Sequence, residues 1–480
     1  MGSGIAQVAL SAGVTVILHD LADAAREAAR DSILARLKRL VEKGVHPAGF
    51  VEDADQRLTL APQLVDVAPA DVVIEAVIEQ LAVKQTLFAD LERIVRDDTI
   101  LATNTSSLSV AAIARDCRRK DRVCGLHFFN PVPIMKLVEV IVHPGIDPAV
   151  QEAAVSLARQ LGKVPVTVRD GPGFLVNLGG RAYTTEALHA AEERIADPAT
   201  IDSILRDGAG FRMGPFELMD LTGIDVNFPA TSFIYEGYQH DPRIRTTPLH
   251  AAMFNAGRFG RKTGLGFHDY SAAPAAPGPA AVEEPAGQPA AFRFRAPAGG
   301  AALASLRGFA DAHHDDAETV LVTPLGEDAA SITARLGLDP ARVVAIDLTG
   351  IDRDHVTLTA PLGGAQAIAS CAAWLRQQGY RVAVIGDSPG FVLQRVLAMI
   401  ANLGCEMAQI GIGTPDDIDT AMKLAQNYPL GPFEIVEKLG AATVLEILQN
   451  LQAVSGSDRY RPSLWLRRRA LLNRSIREAD

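Results

Sequence analysis

Two short motifs recur along this chain at one common offset. Asp170-Gly171-Pro172-Gly173-Phe174 returns as Asp387-Ser388-Pro389-Gly390-Phe391, and Gly214-Pro215-Phe216-Glu217 as Gly431-Pro432-Phe433-Glu434, each 217 residues later. Ile201-Asp202 and Ile418-Asp419 keep the same spacing between them. An offset shared by three sites marks a duplication, so the second half must fold into something close to the first. Between the copies, Ala272 to Pro297 is dense in Ala, Pro and Gly, with Pro274, Pro277, Pro279, Pro285 and Pro289, and reads as a linker.

Each copy has the same internal order, an α/β part and then a helical part. Val14 to Leu18, Val72 to Ala76, Ile100 to Thr103, Val123 to Leu126 and Leu137 to Val142 are short, mostly β-branched runs separated by helical patterns, the mark of a mainly parallel sheet. One such helix spans Ala22 to Lys43, with Ile33, Leu37, Leu40 and Val41 at helical spacing and Gly44 as its C-cap. From Pro172 the strand pattern stops, and Pro172, Pro215 and Pro389 are expected as first residues of helices, where the missing N–H costs nothing. The expected layout is an α/β domain over 1–168, an all-α domain over 169–271, the linker over 272–297, a degenerate α/β segment over 298–386 and a second all-α domain over 387–480.

The composition, 48% hydrophobic and 21% charged, is that of an ordinary globular chain. A net charge of -11 repels nucleic-acid phosphates and only the short Arg467-Arg468-Arg469 run opposes it, so nucleic acid is not an expected partner. Cys117, Cys124, Cys371 and Cys405 are scattered without a CxxC pair. That spacing indicates neither a disulfide framework nor a metal site, and a reducing cytoplasm is the expected compartment. No apolar run reaches the roughly 18 residues that span a bilayer, and no basic stretch precedes the first residues as in a secretion signal.

The opening Met1-Gly2-Ser3-Gly4-Ile5-Ala6-Gln7 runs as a helix to Gly13, then enters the strand Val14 to Leu18 and meets Asp20. This is the second half of a Rossmann-type dinucleotide-binding unit, with a helix N-terminus facing the pyrophosphate and an acid on the ribose. Only the third glycine of GxGxxG is matched, by Gly2; the first strand and the other two glycines would lie before Met1, so the natural start is expected upstream. Asp20 accepts from a 2'-hydroxyl and repels a 2'-phosphate, which favours NAD over NADP.

Residues just past the carboxyl ends of strands line the crevice of an open α/β sheet. Asn104-Thr105-Ser106-Ser107 follows one strand here and His127-Phe128-Phe129-Asn130 another. Twelve residues after the histidine, Glu139 sits among Leu137, Val138, Val140 and Ile141, where a carboxylate is costly unless paired. Oxidising a carbinol requires that its hydroxyl proton leave, and neutral imidazole accepts a proton near neutrality, so His127 is the candidate base. Glu139 on the other ring nitrogen would fix the tautomer and stabilise the imidazolium. Ser106 and Asn177 could hold the substrate oxygen as it becomes a carbonyl.

In order and spacing, Asn104 to Leu108, Gly125 to Pro133, Lys136 to Val140, Gly171 to Asn177, Gly214 to Glu217 and Gly260 to Phe267 resemble the 3-hydroxyacyl-CoA dehydrogenases. The likeness runs from Gly2 to about Tyr270. It implies an acyl-CoA substrate, His127 and Glu139 as the catalytic pair, Ser106 and Asn177 at the substrate oxygen and Asn130 in the same pocket. It also places Glu79, Lys84 and Asn104 at the NAD, and Ser32 and Arg39 at the CoA. The stereochemical preference for the (S) isomer comes from the resemblance alone.

The second copy resembles the duplicated terminal region of longer members, including those of phenylacetate catabolism, which brings 3-hydroxyadipyl-CoA forward as an alternative substrate. Gln394 replaces Asn177 there, Asp347 replaces His127, and no carboxylate stands in Val356-Thr357-Leu358-Thr359, so this half is expected to be catalytically silent. Single-copy members of the family pair through their helical domains, and the second helical domain could fill that interface within one chain, or a homo-oligomer could form through the same domains. A non-catalytic descendant of the fold is the rival reading from another class, and the retention of Ser106, His127, Glu139 and Asn177 together opposes it.

Overall fold

The computed structural model describes residues 1–271, 291–295 and 306–479. Two compact units emerge, Met1–Leu178 with Gly411–Gln426, and Gly179–Ile410 with Asn427–Asp480.

In the first unit, β1 (Val16–His19) and β2 (Leu58–Ala61) pair in parallel as a small sheet. A larger sheet has the order β3 (Val72–Glu75), β4 (Ile100–Thr103), β5 (Val123–Phe128), β6 (Leu137–Val142), β7 (Val164–Arg169), all parallel except β5 with β6. This is the Rossmann-type layout, and among the described residues no strand joins the two sheets. The helix Gly2–Ser11 serves both cores: Ile5 and Val8 pack on the larger sheet, while Ala6 and Leu10 meet Ile33 and Leu37 of the helix Asp23–Glu42. Sequence patterning overlooked β2 and β7. In β7, Pro165 interrupts the run, a residue tolerated because this strand lies at the edge of the sheet.

In the second unit, the helices Arg181–Glu192, Pro215–Thr222, Ile224–Gly237 and Pro248–Asn255 of the first copy lie with nearly all of the second copy. The second sheet has the order β8 (Phe292–Arg295), β9 (Thr319–Val322), β10 (Val343–Asp347), β11 (His355–Thr359), β12 (Arg381–Val384), again with one antiparallel pair, β10 with β11. It repeats β3 to β7 strand for strand. β8 falls inside the stretch expected as linker, so the second α/β segment includes Phe292–Arg295, ahead of the expected 298; the rest of 272–297, apart from residue 291, lies outside the described residues. Phe292 is buried with its ring centroid 5.1 Å from that of Trp374, and the surrounding Ala and Pro hid this short alternating run. No helix among the described residues is long and apolar enough to cross a membrane.

The repeated motifs have two different local meanings. Pro215 opens a helix as expected, with Glu217 accepting the Gly214 N–H at 2.9 Å and Asp202 accepting those of Phe216 and Glu217 at 2.9 and 3.1 Å. A side chain at Gly214 would collide with the Asp202 carboxyl, which accounts for the glycine. Pro172 and Pro389 do not open helices. They lie in turns whose next residues take left-handed φ, 75° at Gly173 and 49° at Phe174, 68° at Gly390 and 51° at Phe391, and the helices start only at Val176 and Leu393.

Candidate active site

The antiparallel register of β5 and β6 sets His127 directly opposite Glu139, with Nδ1 2.7 Å from Oε2. Glu139 is 0% exposed and His127 6%. A carboxylate so buried needs further donors, and Oε1 accepts the N–H groups of Leu175 at 3.0 Å and Val176 at 2.9 Å. The left-handed turn at Gly173 and Phe174 delivers those amides, because it delays the helix by four residues, from Pro172 to Val176, and leaves the N–H groups at its start facing β6. With Nδ1 engaged, Nε2 is the nitrogen left to take a proton. The rings of Phe129 and Phe174 flank the imidazole, with centroids at 4.4 and 6.0 Å.

The loop after β4 is fixed at both ends. The Asn104 N–H donates to the Glu75 carbonyl at 2.8 Å, and its Oδ1 accepts the Phe128 N–H at 2.8 Å, one residue beyond His127. Glu79 then gathers the loop: Oε1 accepts from the Thr105 hydroxyl at 2.7 Å, the Ser106 N–H at 2.8 Å and hydroxyl at 3.2 Å, and the Ser107 N–H and hydroxyl, both at 3.1 Å. Burial pushes the Glu79 carboxyl up, but the Thr105 hydroxyl, the Ser106 amide and the Lys84 ammonium outweigh it and hold the pKa at about 2. The Lys84 side chain is 1% exposed, with Nζ 2.7 Å from Glu75 and 3.2 Å from Glu79, so it reaches a ligand only through Glu79. The Asn177 side-chain amide donates to the Ser106 backbone carbonyl at 3.3 Å, which ties Asn177 to this loop.

Sequence reasoning named Asn104, Glu79, Lys84, Ser106, Asn177, His127 and Glu139, and each falls into one of these two hydrogen-bonded groups, tied together through Asn104. It missed Glu75, Thr105, Ser107 and the Leu175 and Val176 amides. Glu75 had a usable signal, a carboxylate ending an apolar strand, the same cue that exposed Glu139. The amides had none.

The parts of a nucleotide site are also present. Gly2 opens a helix with no side-chain cap, and a Cβ there would lie 3.9 Å from that of Ala76, just past β3. Asp20 is exposed one residue past β1, with Oδ1 accepting the Ala22 N–H at 3.1 Å. An open helix N-terminus and an exposed acid at a strand's carboxyl end fit the pyrophosphate and ribose of NAD. Asn130 is exposed two residues past β5, and Ser32 and Arg39 lie two turns apart on the helix Asp23–Glu42, outside the hydrogen-bonded groups.

At the matching place in the second sheet, β10 ends in Asp347 and the register sets Thr357 opposite it. Asp347 is buried, its Oδ1 accepting from the Thr349 N–H at 3.0 Å, the Thr349 hydroxyl at 2.6 Å and the Gln394 amide at 3.1 Å. Burial raises its pKa against those donors.

Residues 1–171 match the family model for the 3-hydroxyacyl-CoA dehydrogenase NAD binding domain, and residues 173–270 and 390–480 match that for the 3-hydroxyacyl-CoA dehydrogenase C-terminal domain. The chain thus belongs to the 3-hydroxyacyl-CoA dehydrogenase family of NAD-dependent oxidoreductases. It is 38% identical over 472 residues to the 3-hydroxyadipyl-CoA dehydrogenase of Escherichia coli K12, covering 98% of this chain and 96% of that one. The mitochondrial hydroxyacyl-coenzyme A dehydrogenase of Homo sapiens is 39% identical over 280 residues, 56% of this chain and 88% of the human one. The crystal structure of 3-hydroxybutyryl-CoA dehydrogenase from Escherichia coli K12 aligns with a TM-score of 0.86 at 38% identity, over 98% of this chain and 96% of that chain.

Proposed function

We propose that His127 is the general base in the oxidation of an (S)-3-hydroxyacyl-CoA to the 3-ketoacyl-CoA, a reading carried by the 2.7 Å contact between its Nδ1 and buried Glu139. Bound NAD supplies the two-electron acceptor. Nε2 of His127 takes the hydroxyl proton, and Glu139 holds the tautomer and stabilises the imidazolium. The Ser106 hydroxyl and the Asn177 amide meet the substrate oxygen as it becomes a carbonyl, with Asn130 in the same pocket. Gly2 faces the pyrophosphate and Asp20 the ribose; Glu79, Lys84 and Asn104 shape the nicotinamide end, and Ser32 and Arg39 meet the CoA. The second copy is structural and silent, a reading supported by Asp347 and Thr357 standing where His127 and Glu139 would.

The test is NADH consumption with acetoacetyl-CoA, in the reductive direction. The unaltered chain should consume NADH, and His127→Gln should lose about 10²-fold or more in kcat while binding NADH equally well in a fluorescence titration. Equal turnover by the two would sink the assignment.

Within this substrate class the duplicated architecture leans toward 3-hydroxyadipyl-CoA, the substrate in the name of one full-length relative, with the short 3-hydroxybutyryl chain, in the name of an equally well covered structure, as the alternative. A higher kcat/KM for 3-oxoadipyl-CoA than for acetoacetyl-CoA is expected, and the reverse order would restore the short monocarboxylic chain. We place the enzyme in the cytoplasm, as expected for a bacterial-type metabolic enzyme whose four cysteines form no disulfide.

A further inference from the structure

The second repeat carries no catalytic pair, yet one piece of it, Gly411–Gln426, belongs to the unit that holds His127 and Glu139. We propose that this piece, through the Ile412-Gly413 turn and the helix Pro415–Gln426, is a positioning element for Glu139. The inference rests on the reading of His127 and Glu139 as the catalytic pair.

The Arg169 N–H, at the end of β7, donates to the Ile412 carbonyl at 2.9 Å, so the turn is stitched to the sheet by its backbone. Thr414 and Pro415 then start the helix, with the Thr414 hydroxyl accepting the Asp417 N–H at 3.1 Å. Ile418, Ala421 and Met422 are fully buried, and the helix packs on β6 and β7. β6 is the strand that carries Glu139. A Cβ on Gly413 would stand 3.0 Å from Cδ1 of Leu175, closer than an ordinary van der Waals contact, so the turn backs directly onto Leu175. The N–H of Leu175 is one of the two amides on Glu139 Oε1, and Glu139 Oε2 holds His127. Gly413, Leu175, Glu139 and His127 thus form one line of contacts, and interiors of this density transmit a displacement along it.

The first repeat makes the same bond in reverse. The Gly386 N–H donates to the Ile195 carbonyl at 2.7 Å, and both residues are the partners of Arg169 and Ile412 at the 217-residue offset. Ala196 occupies the position of Gly413, beside the sheet that lacks a base and an orienting acid. This provides a matched control.

Gly413→Val should lower kcat by about 10-fold to 100-fold through displacement of Leu175, with KM for acetoacetyl-CoA and NADH affinity within about twofold, and Gly413→Ala should lower it less. Amide exchange at Leu175 and Val176 should quicken in both variants. Ala196→Val should change neither kcat nor that exchange. Unchanged kcat and exchange in the Gly413 variants, or a kcat loss matched by Ala196→Val, would overturn the proposal; if Gly413→Val fails to fold, Gly413→Ala decides it on the same readouts. Absence of turnover in the unaltered chain would count against the proposed reaction, while the exchange at Leu175 and Val176 would still test the contact.

Discussion

Glu139, near the start of β6, and Asp347, the last residue of β10, are both buried carboxylates in matching antiparallel strand pairs, but only Glu139 faces an imidazole. Asp347 instead holds Thr349 and Gln394. Replacing it by alanine should therefore leave kcat and KM unchanged, measured with NADH and acetoacetyl-CoA, and cost stability alone; a loss of turnover in Asp347→Ala would make the second copy catalytic after all. Residues whose chemistry is unusual for their surroundings were legible in the sequence: a glutamate in an apolar strand, a histidine at a strand end. The side chains that hold the site by ordinary hydrogen bonds were less so, since Thr105 and Ser107 look like any loop hydroxyls until Glu79 is seen gathering them.

At the scale of elements, the Gly171 to Phe174 turn shows what a sequence pattern conceals. Its proline suggested a helix start, whereas the left-handed Gly173 and Phe174 hold the helix back and turn two amides onto Glu139. Gly173→Ala puts a Cβ at a φ of 75°, a cost of about 1–2 kcal/mol. A lower Tm is expected together with a kcat loss larger than any change in KM, because the strain falls on the turn that supplies the amides. An unchanged kcat would mean that Glu139 keeps its position without the turn's exact shape. Strand β7 was hidden for a related reason: Pro165 is compatible with a strand only at an edge, and edge position is a property of the sheet, not of the segment.

At the scale of the whole molecule, the duplication was plain in the repeated motifs, but what joins the copies was not. On the helix Arg181–Glu192, the Glu186 carboxylate lies 2.5 Å from Arg395 Nε and 2.6 Å from Arg459 Nε, and it accepts the Tyr460 hydroxyl at 2.8 Å. These three partners come from the second copy, more than 200 residues away, and periodicity carries no information over that distance. Burial would raise the Glu186 carboxyl, but Arg459 and Arg395 outweigh it and hold it well below the ordinary carboxylate range. Its folded pKa lies below the unfolded one, so its contribution is complete above the ordinary carboxylate pKa and declines as pH falls from there toward the folded value. Glu186→Gln leaves the buried Arg459 guanidinium without its carboxylate and Arg395 with Glu193 alone, and urea titration at pH 7 should show a loss of about 3–5 kcal/mol. The variant should also lack the part of the acid-induced decline that this carboxyl causes; an unchanged midpoint would assign the joint to apolar packing.

The twin bonds from Arg169 to Ile412 and from Gly386 to Ile195 bear on how such a molecule can change over generations. When two identical chains make a symmetric contact, every substitution is written twice and must suit both sites. In this chain each position is inherited separately, so Gly413 can stay small behind a working carboxylate while Ala196 answers to nothing but folding. Fusion keeps the skeleton of a pair and frees one member from the demands of catalysis.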